Sequence, residues 1–297
     1  MKPYLYFLVL LIIVVYGCNT NTHDASQNNT VLITDSITTK PDTVITPPHL
    51  KISYTLISKK DWQQLKDSLA ESINYDIMNT VNRVDSIHLN RLDSILVPDN
   101  FALPLQDYLP FPNKIALLIP VEKILLFSYP AQVFAAYENG NLIRTGPTSM
   151  GRKSKQTPQR LYFTNWKAKT TTSTINSTWV LNWNFNIQNY MGIGFHEYAL
   201  PGYPASHSCM RLLEKDAAFL YSWANQWMLK DDQIIAYGTP VIVFGEYPFG
   251  QTKPWNLLAS HPDTLTLNEN NLQPYIQPHL EEILQKQEQR TMVISSQ

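Results

Sequence analysis

Past about residue 112 the chain loses its helical period, and that loss constrains the fold more than any other feature. "KIALLIP", "KILLFSY" and "QVFAAY" are short apolar or alternating runs, broken by proline and by Asn139-Gly140. Asn-Gly tolerates the positive φ values of a tight two-residue turn, so between two such runs it predicts a hairpin. In "WVLNWNFNI", alternation sets Trp179, Leu181, Trp183, Phe185 and Ile187 on one face and Asn182, Asn184 and Asn186 on the other. That is the pattern of a half-buried strand. "TPVIVFG", residues 239–245, reads as a final buried strand. One helix interrupts the series, with Leu220, Trp223, Ala224 and Trp227 along one face. The expectation is a mainly β domain over 111–250, a sandwich with one packed helix. With 44% hydrophobic residues, sixteen Tyr and seven Trp, a chain of 297 residues can fill such a core.

Two flanking segments carry a different signal. Ser58-x-x-Asp61 is a capping-box pattern, and Leu65, Leu69, Ile73, Ile77, Val81 and Val84 follow at helical spacing. A second apolar set in "VDSIHLNRLDSILVPDNF" stops at Pro98. Residues 51–110 are therefore expected to form a small helical module. Residues 251–297 are polar, with a helix around "HLEEILQKQEQR", and are expected to be an appendage on the domain surface.

The N-terminus reads as an export signal. One basic residue, Lys2, precedes an apolar run from Tyr4 to Tyr16 that is too short to span a bilayer and ends at Gly17-Cys18. A plain N-terminal membrane helix is the alternative. Residues 19–50 are Thr-, Asn-, Ser- and Pro-rich with few large apolar side chains, the composition of a flexible tether. The net charge of −1 implies no basic face for nucleic acid.

The chain has two cysteines, Cys18 and Cys209. An exported protein usually pairs its thiols or omits them, so an unpaired Cys209 draws attention as a reactive group. It sits in "GYPASHSCMRL", with His207 two residues before it and His196 further upstream. A thiol attacks a carbonyl as its thiolate, which needs a base or a lowered pKa. The helix expected from about Glu214 could favour the thiolate and supply oxyanion donors from its N-terminus. Arg211 is placed either to hold a substrate carboxylate or to fix the loop. A structural thiol remains the alternative. No His, Asp or Glu spacing suggests a metal site, and no cofactor is expected.

Val15-Tyr16-Gly17-Cys18 resembles a bacterial lipobox. That resemblance implies a signal peptide over 1–17, lipid on Cys18 and a membrane-anchored, periplasm-facing location in the cell envelope. "FHEYALPGYPASHSCMRL" resembles the active-site signature of the YkuD-like L,D-transpeptidases, and "AAYENGNLIRTGPTSMGRKSKQTPQRLYF" resembles the strands that precede it. Together they cover roughly residues 114–246. The resemblance implies a YkuD-like β-sandwich with Cys209 as nucleophile and His196 as general base. His207, Ser206, Ser208 and Arg211 would have supporting roles, and Ser149, Gly151, Thr157 and Pro158 would be substrate-loop candidates. Either a backbone carbonyl or Glu197 would steady His196.

The activity implied is cysteine acyl transfer on peptidoglycan stem peptides. The acceptor could be a second stem, a free D-amino acid, water or an envelope protein. In one respect the chain departs from the signature, because Ser208 stands where the family usually has glycine. If positive φ is needed there, serine costs about 1 kcal/mol and could crowd the acyl group. That departure motivates a competing reading, a catalytically impaired lipoprotein that tethers the membrane to the wall.

Overall fold

The computed structural model describes residues 52–68, 73–173 and 175–297. The expected signal peptide (1–17), the tether (18–50) and Cys18 lie outside the described residues. The first elements are β1 (Tyr54–Ser58), α1 (Lys59–Ser68), α2 (Tyr75–Asn82), α3 (Ser86–Leu89) and β2 (Ser94–Pro98). Ser58 caps α1 as expected: its Oγ accepts from the Asp61 amide at 3.2 Å. The helical stripe does not continue unbroken, however. Asn74 opens a new helix by accepting from the amides of Asp76 and Ile77, and Arg83 closes it at φ 59°.

The apolar set near residue 95 is a strand rather than a helix. β2 pairs antiparallel with β1, Ile57 opposite Ile95. Runs as short as "YTLIS" and "SILVP" carry too few residues for their period to tell strand from buried helix. The segment 51–110 is thus mixed α and β, not purely helical.

The main sheet uses β3 (Lys123–Ser128), β4 (Val133–Glu138), β5 (Asn141–Ser149), β6 (Arg160–Phe163), β7 (Lys167–Thr172), β8 (Val180–Gln188), β9 (Ile193–Glu197) and β10 (Met210–Leu212). Helix α4 (Glu214–Trp223) and a two-stranded ribbon of β11 (Met228–Lys230) and β12 (Gln233–Ala236) precede the last strand, β13 (Pro240–Phe244). The sheet has nine strands in the order β6-β13-β3-β4-β5-β10-β9-β8-β7. It is mixed, since β13 runs parallel to β3 and β10 parallel to β9. Asn139 and Gly140, at φ 46° and 77°, make the expected turn between β4 and β5.

The sheet curls so that its two halves face each other, which gives the expected sandwich-like core. Phe185, Phe195, Met210 and Leu212 from one half pack against Leu125, Phe127, Phe134 and Val243 from the other, with Ala217 and Leu220 of α4 in the same cluster. The opposite face of β3, β4 and β13 is also buried, which is why "KILLFS" and "PVIVF" are almost continuously apolar. Leu126, Val133, Ala135 and Ile242 there meet Ile77 and Val81 of α2, Leu96 of β2, and Trp255. The last helices, α5 (Glu269–Ile276) and α6 (Leu280–Ser295), add Leu272, Ile276 and Ile283 to that cluster.

The C-terminal segment is therefore part of the core and not a surface appendage. Arg83 reinforces the same junction. Fully buried, it donates to the carbonyls of Ala131 (2.9 Å) and Thr80 (2.6 Å) and lies 5.7 Å from the Trp255 ring centroid.

Candidate active site

The two central residues reach one cleft because their strands are parallel neighbours. β10 pairs with β9 so that Met210 lies opposite Phe195 and Arg211 opposite His196. Phe195 and Met210 point into the core. Side chains alternate along a strand, so His196, Cys209 and Arg211 turn to the other face, where all three line one open cleft of about 640 Å³. Helix α4 packs on the core face of these strands through Ala217 and Leu220. Its N-terminus is therefore on the wrong side of the sheet to stabilise a thiolate or an oxyanion at Cys209, contrary to the expectation from chain proximity. The short strand β10 separates the two.

His196 is 4% exposed. Its Nδ1–H donates to the backbone carbonyl of Glu197 at 2.9 Å, which assigns the lone pair to Nε2. The backbone carbonyl thus steadies the ring, while the Glu197 carboxylate instead accepts from Asn182 at 3.2 Å. Burial pulls the His196 pKa down to about 4, against the Glu197 hydrogen bond and with help from Arg211. The imidazole is neutral at neutral pH, as a base must be.

Cys209 is partly exposed and unpaired. Burial pushes its thiol up, while the Gly194 amide and Arg211 pull the other way. The thiol donates to the Gly192 carbonyl at 3.5 Å. One cleft thus holds a neutral thiol and a neutral imidazole.

The substrate-loop candidates have a different place from the one expected. Ser149 is fully buried, and its hydroxyl donates to the Tyr203 carbonyl (2.8 Å) while accepting from the Ala205 amide (3.2 Å). Thr157 accepts from the Gly151 amide at 3.1 Å and donates to the Ser208 carbonyl at 2.9 Å. A Cβ on Gly151 would stand 2.2 Å from the Lys155 carbonyl oxygen. These residues clamp the 203–208 loop from beneath; Pro158, half-buried, accepts from the Tyr162 hydroxyl at 2.7 Å. Ser206 completes the clamp, its hydroxyl donating to the Cys209 carbonyl at 2.5 Å.

The hairpin β7–β8 forms the facing wall, and here the sequence pattern misleads. Trp183 takes φ 53° and the β8–β9 register shifts between Asn182 and Phe185. The bulge flips the alternation, so Leu181 and Trp179 line the cleft before it and Asn184 and Asn186 after it. Asn186 accepts at Oδ1 from Asn165 (3.1 Å). Of the three asparagines in "NWNFN" only Asn184 and Asn186 reach the cleft, while Asn182 before the bulge turns to Glu197. His207 lies on Trp179, ring centroids 5.2 Å apart, and its Nδ1 has no hydrogen-bond partner among the described residues. Arg211 fixes the loop, reaching the Ala199 carbonyl at 3.4 Å and resting 4.6 Å from the Tyr198 ring centroid, and it also lines the cleft.

A separate cleft of about 330 Å³ borders α6. Its cations are already engaged, Lys123 with the Trp223 carbonyl, Arg290 with the carbonyls of Gln226 and Tyr237, and Lys286 with the Tyr237 ring at 4.4 Å from its centroid. Among the described residues no three His, Cys, Asp or Glu side chains gather to hold a metal.

Residues 122–243 match the family model of the L,D-transpeptidase catalytic domain, YkuD. This segment is a YkuD domain. No curated protein matches the chain. Among solved structures, the L,D-transpeptidase of Stackebrandtia nassauensis is 25% identical over 43% of this chain and 57% of its own, with a TM-score of 0.35. The corresponding figures are 21%, 46%, 65% and 0.35 for an L,D-transpeptidase from Xylanimonas cellulosilytica. They are 21%, 42%, 58% and 0.34 for one from Mycobacterium tuberculosis. The chain spans less than two thirds of the length of each of these proteins.

Within the YkuD domain, Ser208 adopts φ 86°, the left-handed region that its glycine-like position implied. Its hydroxyl donates to the Lys155 carbonyl at 3.2 Å, and the residue is not part of the cleft lining. The serine carries backbone strain without occupying the space of an acyl group. Ser208→Gly is expected to relieve about 1 kcal/mol of that strain and to raise Tm by about 2 °C, measured by calorimetry. An unchanged or lower Tm would mean that the Lys155 bond offsets the strain in full.

Proposed function

We propose that this chain is a cell-envelope L,D-transpeptidase that acts on peptidoglycan stem peptides through a Cys209 thioester. The observation that carries the reading is the pairing of β9 with β10. It sets a neutral His196, with Nδ1–H engaged and its Nε2 lone pair available, in one cleft with an unpaired thiol.

In the first half-reaction the Cys209 proton passes to His196 as sulfur bonds to the carbonyl carbon of the third stem residue. The peptide bond to the terminal D-residue then breaks, and its amine takes the proton back from His196. In the second, an acceptor amine or water attacks the thioester and gives its proton to His196. Cys209 leaves as thiolate and is reprotonated. The Asn184 and Asn186 amides and the Arg211 guanidinium are among the polar groups in the cleft wall that can meet the stem peptide's carbonyl and carboxylate oxygens. Lipid on Cys18 would anchor the enzyme to a membrane, with residues 18–50 as the tether.

The test is intact-protein mass spectrometry of the full chain with a tetrapeptide-stem muropeptide and, separately, with a carbapenem. The expected result is an adduct that maps to Cys209 in both cases. The absence of any adduct on wild-type protein that binds the muropeptide would leave the wall-tether reading in its place.

A further inference from the structure

The segment before the YkuD domain touches the catalytic loop at one concentrated point. Asp85 caps α3, its Oδ1 accepting from the His88 amide at 3.0 Å and lying 2.7 Å from His88 Nδ1. Its other oxygen reaches across to accept from the Leu200 amide at 2.8 Å. The Asp85 amide returns a bond to the Leu200 carbonyl at 3.1 Å, and Val84 bridges to Pro201. Gly202 completes the seat at φ 81°, where a Cβ would stand 2.9 Å from Val84 Cγ1.

The same loop carries the groups that hold the site. Ala199 accepts from Arg211, and the Tyr198 ring lies beneath that guanidinium and 6.0 Å edge-on from the His196 ring. The Tyr198 amide donates to the Leu212 carbonyl at 3.1 Å, tying the loop to β10.

We propose that Asp85 is a positioning residue for the Cys209 site, contributed by the segment outside residues 122–243. It fixes the backbone at Leu200, which sets Ala199 and Tyr198 and, through them, the Arg211 guanidinium beside the nucleophile. Arg211 is one of the groups that favour the Cys209 thiolate, so a loop released at Leu200 gives a less reactive sulfur. The inference rests on the transpeptidase reading for its biological meaning but not for its test, because a small electrophile reports the thiolate without any substrate.

Asp85→Ser keeps an N-cap oxygen for α3 but is too short to reach Leu200. In the full chain, alkylation by iodoacetamide is followed by peptide mass mapping, which separates Cys209 from Cys18. The variant is expected to react about threefold or more slowly at Cys209, because the rate follows the thiolate fraction. His88→Ala, which leaves the Leu200 bond intact, should react at the wild-type rate. On stem peptide, kcat should fall and KM should rise in Asp85→Ser, because Arg211 also faces the substrate in the cleft, while His88→Ala keeps both at wild type.

A Cys209 rate equal to or faster than wild type in Asp85→Ser would overturn the proposal, since simple loosening exposes the sulfur. Asp85→Asn, which cannot accept at both oxygens, is read by the same criterion should the serine variant not fold. Wild-type protein that alkylates normally yet never turns over a stem peptide would sink the transpeptidase reading alone.

Discussion

Cys209→Ala is expected to abolish acyl transfer, a loss on the order of 10³-fold or more, while Tm stays within about 2 °C of wild type. The two halves of this expectation have separate causes. On the proposed mechanism the Cys209 sulfur forms the acyl bond, and alanine supplies nothing in its place. Structurally the side chain does little: it is partly exposed, unpaired and makes one long bond, 3.5 Å, to the Gly192 carbonyl. The measurement is turnover of a tetrapeptide-stem muropeptide alongside a thermal scan. Retained turnover would place the nucleophile elsewhere. His196→Gln should lose on the order of 10²-fold or more, because the thiol sits above its ordinary pKa and does not ionise without a base.

Acid should destabilise the fold through His196. Its pKa is about 4 in the folded chain against 6.5 for the free side chain, with burial as the main cause. Between those values the unfolded chain binds the extra proton, so stability rises with pH across this window. The contribution is fully present above pH 6.5 and disappears as pH falls to about 4. Its full size is roughly 3.5 kcal/mol, the gap between 6.5 and about 4 at about 1.4 kcal/mol per pH unit.

Denaturation curves at intervals from pH 4 to 7 should show this slope in wild type. In His196→Gln, whose amide can still donate to the Glu197 carbonyl, the slope should be reduced by one proton. An identical slope in both proteins would mean that His196 titrates normally. For the same reason the acid limb of activity should lie near pH 4 and not near 6.5.

Much of this site is legible in the amino-acid sequence. Cys209, His196 and Arg211 announce themselves because reactive chemistry needs particular atoms in one short loop and on one neighbouring strand. The Asn139-Gly140 turn is equally plain, since few dipeptides accept its backbone. Other features stay hidden, each for a physical reason. The bulge at Trp183 is a single backbone torsion, and no residue type there signals it, so alternation puts Asn184 and Asn186 on the strand but not in the cleft.

The direction of α4 depends on three residues of β10 that pair with β5 and β9, a long-range contact that local pattern does not encode. Ser149 and Thr157 look polar and accessible in a loop, yet they are buried because backbone groups of the nucleophile loop need partners. The strands β1 and β2 escape a helical reading of 51–110 because five residues are too few for a period to declare itself.

Because both faces of β3, β4 and β13 are covered, these strands have no way to mature alone. Their outer face is closed by Ile77, Val81 and Leu96, made before them, and by Leu272, Ile276 and Ile283, made after them. During vectorial synthesis the sheet therefore stays incomplete until α6 has emerged, and until then it presents an apolar surface open to misassociation. A recombinant fragment cut at the family boundaries, residues 122–243, would keep that surface permanently and is expected to be insoluble.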